Sequence, residues 1–196
     1  QELIKNYSHP IKKKLTKLIA IPTTAGSGAE VTSNAVIYVD KIKYSIEHEN
    51  LIPDYFFLIP EFILSAPKKI KSSAGFDAYA QAIESLLSMK SNESSIEFAV
   101  ESLKKINSSL IEYYENPNLD NSLILAQGAN LAGRAIAISK TTLPHAVSYP
   151  FSSYYNFSHG HAVSLFFEDF IKFNFENKTK SNAKFDLNVR FKILFQ

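Results

Sequence analysis

The chain has 196 residues, 45% of them hydrophobic, enough to bury a core in one or two compact units. Lys and Arg number 21 against 19 Asp and Glu, and the resulting formal charge of +2 is too small an excess to point to nucleic acid or an anionic membrane. No Cys occurs, so disulfides and thiolate metal sites are excluded, and any metal must be held by His, Asp, Glu or amide and backbone oxygens.

The lack of Cys fits a reducing cytoplasm, the expected location. No apolar run approaches membrane-spanning length. The opening Gln1-Glu2, in place of Met, carries no secretory pattern and reads as part of a longer polypeptide. The basic cluster Lys12, Lys13, Lys14 and Lys17 is expected on a solvated surface.

In chain order, residues 15–63 read as β-containing. "LTKLIAIP" is apolar up to Pro22, "NAVIYVD" is rich in β-branched and aromatic residues, and "PDYFFLIP" is bounded by prolines. The polar loop "TTAGSGAEVTS" separates the first two. From about Ser72 the period becomes helical, with Phe76, Ala80, Ile83 and Leu87 forming one apolar stripe. A second helix is predicted from Ser94, with Glu97 at capping-box spacing, to Asn116-Pro117. A third, roughly Asn121 to Ser139, carries Gly128, Gly133 and several alanines, which permit close approach of a neighbouring helix or ligand. Pro144 suits the first turn of a short helix that Pro150 should end, and Ser158 can cap a last helix through "HGHAVSLFFEDFIKF". Asn177 to Lys184 is polar enough for a loop or a frayed end. The layout is α+β by segment: a small β-rich piece, then an all-helical piece, with the boundary near 64–72.

Asp77 and Gln81, four apart, project from one helix face and offer two oxygen donors. Alone, such a pair reads as a solvated face. Three of the five histidines, His145, His159 and His161, fall between residues 141 and 165. His145 and His159 cannot share one uninterrupted helix with Pro150 between them, but two short helices folding back would bring them together. Each alone fits a hydrogen-bonded structural histidine. Two oxygens with two imidazoles would make a four-donor site suited to Zn²⁺ or Fe²⁺. In "PTTAGSGAEVT", the hydroxyls of Thr23, Thr24, Ser27 and Thr32 and the N–H groups near Gly26 and Gly28 could bind ribose or phosphate, although an ordinary polar turn looks the same.

"AIPTTAGSGAEVTSNAVI", "GFDAYAQAIES" and "PHAVSYPFSSYYNFSHGHAV", in this order, resemble the iron-containing (group III) alcohol dehydrogenase family. "KYSIEHENLIPDY" and the Gln of "FDAYAQAIES" look most like its phosphonoacetaldehyde reductase branch. The resemblance covers roughly residues 15–175. It implies a dehydroquinate synthase-like fold, with an N-terminal α/β domain for NAD(P) and an all-helical metal-binding domain. Residues 1–66 would be the end of the first and 67–196 part of the second, so that the chain looks like a central fragment of such a protein. The family's Gly-Gly-Gly-Ser turn is absent from this sequence, and "NAKFDLNVRFKILFQ" resembles nothing in the pattern.

Carried over position by position, the resemblance implies metal ligation by Asp77, Gln81, His145 and His159, with Gln81 standing where most members have His. Tyr149 stands where a further family histidine is found. Thr23, Thr24, Ser27 and Thr32 match the part that contacts the cofactor. The implied reaction is hydride transfer between NAD(P)H and a small-molecule aldehyde or alcohol, assisted by Fe²⁺ or Zn²⁺. Phosphonoacetaldehyde is the substrate that the branch suggests. Water, His161 and Tyr149 are the candidate proton donors, and Arg134 is the candidate contact for a phosphonate. A homodimer is the assembly allowed for, with neither nucleic acid nor membrane as partner. The competing readings are a metal-dependent synthase on the related scaffold and a non-catalytic truncated helical fragment.

Overall fold

Two small pieces of sheet precede a set of packed helices in the computed structural model, which describes residues 13–40 and 42–195. The opening residues, on which the expectation about a leader rests, and Lys12 of the basic cluster lie outside the described residues. Strand β1 (Ile19–Ala20) pairs in parallel with β4 (Tyr55–Phe56). Strand β2 (Asn34–Val39) pairs antiparallel with β3 (Ile42–Glu47), in the register Asn34 to Glu47 through Val39 to Ile42.

Only two residues each of "LTKLIAIP" and "PDYFFLIP" enter a ladder, much less than their apolar runs suggest. The junction is held instead by Asp54. Its carboxylate accepts from the Leu18 backbone N–H (2.8 Å) and pairs with Lys14 (2.7 Å) and Lys17 (3.3 Å). Two of the clustered lysines are therefore ion-paired rather than merely solvated. Strand β3 was not anticipated, although Ile42, Tyr44 and Ile46 alternate with Lys43, Ser45 and Glu47 at the period of a half-buried strand.

Eight α-helices follow among the described residues: α1 (Pro60–Leu64), α2 (Lys68–Leu87), α3 (Glu93–Glu115), α4 (Leu119–Ser139), α5 (Leu143–Tyr155), α6 (His159–Ser164), α7 (Phe167–Glu176) and α8 (Leu187–Leu194). Helix α2 begins four residues before Ser72, with Pro67 as its N-cap, and α1 was not anticipated. The capping box of α3 is Asn92 with Ser95, not Ser94 with Glu97, and that of α4 is Asn118 with Asn121. Each satisfies two N–H groups that the first helical turn leaves unpaired.

Helices α2, α3 and α4 enclose the core. Leu86, Ile106 and Leu125 are fully buried there, each contributing about 1.5–3 kcal/mol of hydrophobic stabilisation. The small residues of α4 let α3 approach closely: a Cβ on Gly128 would lie 2.8 Å from Ile106 Cγ1, and Ser102 Oγ donates to the Gly128 carbonyl (2.8 Å).

Two helix ends differ from expectation. Pro150 lies inside α5, which runs on to Tyr155 and ends at Asn156 in the left-handed conformation (φ 58°). The ring removes one N–H but does not stop the helix; the left-handed residue does. The predicted last helix is divided in two, because Phe166 turns between α6 and α7 and sends Phe167 into an edge-on contact with Phe76 (5.4 Å). Ser158 occupies the N-cap of α6, but its hydroxyl makes no capping bond.

Candidate metal centre

Asp77, Gln81 and Glu84 stand at i, i+4 and i+7 on α2, one above another on the same face. That face is buried: Asp77 is 5%, Gln81 4% and Glu84 0% exposed. The solvated-face reading of the Asp77/Gln81 pair is thereby excluded. Two other helices close over it. A Cβ on Gly160 would lie 1.9 Å from the Ser73 carbonyl oxygen, so the backbone of α6 rests directly on α2 and brings His159, its first residue, over Asp77. Helix α5 delivers His145 from its first turn, one residue after Pro144.

The two histidines converge despite Pro150. Their rings are 5.3 Å apart, His145 Nε2 is 3.1 Å and His159 Nε2 3.7 Å from Asp77 Oδ1, and one donor atom from each of the three residues lies within 4.8 Å of the others. Gln81 Oε1 is buried with no hydrogen-bond partner, although its residue lines the same cavity as these three. An orphaned amide oxygen beside a carboxylate and two imidazoles is the donor set a divalent cation would complete.

Glu84 supports the other edge of the His145 ring. Its Oε1 meets His145 Nδ1, while its Oε2 accepts from the Thr142 hydroxyl (2.7 Å) and the Thr142 backbone N–H. Burial opposes charge on His145, but hydrogen bonds to Asp77 and Glu84, together with both carboxylate charges, overcome it and push its pKa up to about 9. His159 moves the other way: burial lowers its pKa, and attraction to Asp77 does not compensate while His145 and Lys43 repel a further positive charge.

The cavity in front of these groups, of about 450 Å³, is lined by the β2–β3 hairpin on one side and by helices α2, α4 and α5 on the other. Tyr149 lines it with its ring nearly parallel to His159 (15°, 6.3 Å) and Lys43 Nζ 3.2 Å from its centroid. Burial, then neighbouring negative charge, raises the Tyr149 hydroxyl above its ordinary pKa. Burial lowers the Lys43 ammonium to about 8, against the opposing pull of Asp77. Lys140, also lining the cavity, is paired with Glu47.

Of the loop residues, Ser27 and Thr32 line the cavity, whereas Thr23 and Thr24 are exposed and do not. The loop is held there by Gly28 (φ 60°), which touches Gly133 of α4 so closely that a Cβ on either would fall 2.6 Å from the other's backbone. His161 does not line this cavity. Two residues beyond His159 on one helix, it is rotated by about 200°, and it lies exposed against Phe157 (4.9 Å). Arg134 does not line it either. Its Nε donates to Asn130 Oδ1 (2.9 Å), Asn130 donates to Glu30 (2.9 Å), and the guanidinium lies 5.9 Å from both the Phe56 and Phe98 rings. That chain of contacts ties the loop to α4.

Sequence reasoning missed Glu84, Thr142 and Lys43. Glu84 had a readable signal, since it continues the Asp77/Gln81 spacing to i+7. Thr142 and Lys43 had none, because a loop and a hairpin carry them to the site.

Two family models match the chain. Residues 71–192 match the model of the Fe-containing alcohol dehydrogenase family, C-terminal, and residues 1–60 match that of iron-containing alcohol dehydrogenase. The chain is 30% identical over 155 residues to long-chain-alcohol dehydrogenase 1 of Geobacillus thermodenitrificans, covering 79% of this chain and 39% of that protein. It is 29% identical over 161 residues to the phosphonoacetaldehyde reductase of Streptomyces viridochromogenes, covering 81% and 41%. The crystal structure of sulfoacetaldehyde reductase from Bifidobacterium kashiwanohense, in complex with NAD⁺, superposes with a TM-score of 0.77 at 31% identity over 86% of this chain and 47% of that one. The chain thus spans less than half the length of these relatives. Matches to both family models, in chain order and covering the helices that carry Asp77, His145 and His159, establish that this chain belongs to the iron-containing alcohol dehydrogenase family.

Proposed function

We propose that Asp77, Gln81, His145 and His159 hold a divalent cation, Fe²⁺ or Zn²⁺, in an NAD(P)-linked alcohol dehydrogenase that reduces an aldehyde. On this reading residues 1–66 belong to the cofactor-binding domain and 67–196 to the metal-binding one. The observation that carries it is the unpaired Gln81 Oε1, buried beside three converging donors. Such an acceptor costs about 1–3 kcal/mol if it stays unpaired, a cost that a cation in contact with it removes. When bound, the cation supplies Lewis-acid polarisation of a carbonyl.

The remaining work falls to the chain's own residues. A bound NAD(P)H would supply the hydride for the carbonyl carbon, which leaves a proton to be delivered to the oxygen by the chain. Tyr149 lines the cavity and burial keeps its hydroxyl protonated, so it is the proton donor we assign. On the loop pinned by Gly28, Ser27 offers a hydroxyl suited to cofactor oxygens, while Thr32 lines the cavity with its hydroxyl donating to the Ala29 carbonyl (3.3 Å). Lys43 is the cavity-lining cation without a carboxylate at ion-pair distance among the described residues, and it can serve an anionic group of substrate or cofactor. Phosphonoacetaldehyde, yielding 2-hydroxyethylphosphonate, is the substrate to try first. A relative named for that reaction and the neighbour named for sulfoacetaldehyde support an aldehyde with an anionic end.

Metal analysis tests the centre. One metal per chain after anaerobic Fe²⁺ or Zn²⁺ loading, lost in both His145→Ala and His159→Ala, supports it. A folded wild type that takes up neither ion overturns it. Oxidation of NADH and NADPH by phosphonoacetaldehyde, set against an uncharged two-carbon aldehyde, then tests the substrate.

A further inference from the structure

We infer that Glu84, held by Thr142, is a positioning residue that fixes the His145 imidazole as a metal ligand and sets the affinity of the centre; this rests on the reading that His145 binds a metal. Glu84 is fully buried yet lies on the side of the His145 ring away from Asp77, touching Nδ1 while Nε2 faces the shared donor position. It is therefore no ligand itself. Accepting the Nδ1–H proton leaves the Nε2 lone pair free to coordinate, and it places a negative charge behind the ring that strengthens that lone pair as a donor.

Glu84 is itself held in place. Thr142 gives it both the hydroxyl (2.7 Å) and the backbone N–H, and Thr142 is the N-cap residue of α5, three positions before His145. One carboxylate therefore fixes the start of the helix that delivers His145 and the rotation of the ring it delivers. Ser139 and Ser85, joined by a hydrogen bond (2.8 Å), lock α4 to α2 one residue beyond Glu84. A carboxylate needed only to close α5 onto α2 would be satisfied by Thr142 alone. Its remaining oxygen is committed to the imidazole.

The test compares wild type with Glu84→Gln, Glu84→Asp and Thr142→Val. Zn²⁺ affinity is read by competition with a chromophoric chelator, and ligand geometry by the visible spectrum of bound Co²⁺. Glu84→Gln keeps the shape but removes the charge and turns an amide N–H toward the Thr142 donors. It is expected to weaken Zn²⁺ binding by about 10–100-fold and to shift the Co²⁺ bands, with helical circular dichroism retained. Glu84→Asp is expected to recover part of the loss. Should Glu84→Gln not fold, Thr142→Val decides, with a smaller loss in the same direction. Wild-type affinity and an unchanged Co²⁺ spectrum in the folded Glu84 variants, or in Thr142→Val where it decides, overturn the role of Glu84 while leaving the metal centre standing. A wild type that binds neither ion overturns both.

Discussion

Gln81 and Lys43 are the two residues whose chemistry departs most from their surroundings. Gln81 brings an acceptor into a buried site and leaves it unpaired. Replacing it with Met, of similar length and without the acceptor, should stabilise the metal-free protein by about 1 kcal/mol and weaken Zn²⁺ binding. Urea denaturation with and without Zn²⁺ reads both signs, and a less stable metal-free Gln81→Met would show that the oxygen has a partner. Lys43 titrates near 8 because burial penalises its charge. At pH 8 about half of it is neutral amine, whereas an ordinary lysine near 10.4 is almost wholly protonated. Acetylation of Lys43 followed by peptide mass spectrometry across a pH series should therefore show a midpoint well below the ordinary lysine value, and a midpoint at the ordinary value would contradict the shift. Asp77 and Gln81 were legible as a spaced donor pair, but their burial was not, since it depends on α5 and α6 closing over α2 from some 60–80 residues away.

At the scale of elements, apolar period located α2 and α3 well, because those helices bury broad faces and their stripes report it, and α4 was legible from its run of small residues. It failed where a single contact decides. Helix α6 is six residues long and carries a small apolar face, yet its position is fixed by the absence of a side chain at Gly160. Nothing in "HGHAV" taken alone distinguishes that glycine from a weak point in a helix. Gly160→Ala should cost about 3 kcal/mol, at the upper end of overpacking penalties, because the blocking atom is backbone and cannot rotate aside. His159 is the adjacent residue, so metal affinity should fall in the same variant. An alanine variant with wild-type stability and metal binding would mean that α6 does not rest on α2. The C-terminal ends of α5 and α6 misled for a related reason: Pro150 is a strong local stop signal and "HGHAVSLFFEDFIKF" carries none, but a left-handed Asn156 and the turn at Leu165 and Phe166 set the actual boundaries.

Across the whole molecule, the candidate centre joins α2, α5 and α6, which the hydrophobic core joins less evenly. The packed interior lies among α2, α3 and α4, whereas α5 contributes Pro144, His145 and Ser148 as its buried residues. A cation bound by His145, His159 and the α2 oxygens would therefore add a cross-link to α5, where apolar burial is thin. Binding to the folded state alone stabilises by mass action, about 2.7 kcal/mol when free metal is 100 times its Kd. At about 2–4 °C per kcal/mol for a domain of this size, Zn²⁺ should raise Tm by roughly 5–10 °C. A strong chelator should remove the increment, and Asp77→Ala should lack it. The gain should also be regional. Amide exchange should slow most in α5 and α6, whose opening breaks the centre, and least in α3, which carries none of its ligands. A uniform slowing would mean that the metal merely shifts global unfolding, and no slowing at α6 would separate His159 from the site.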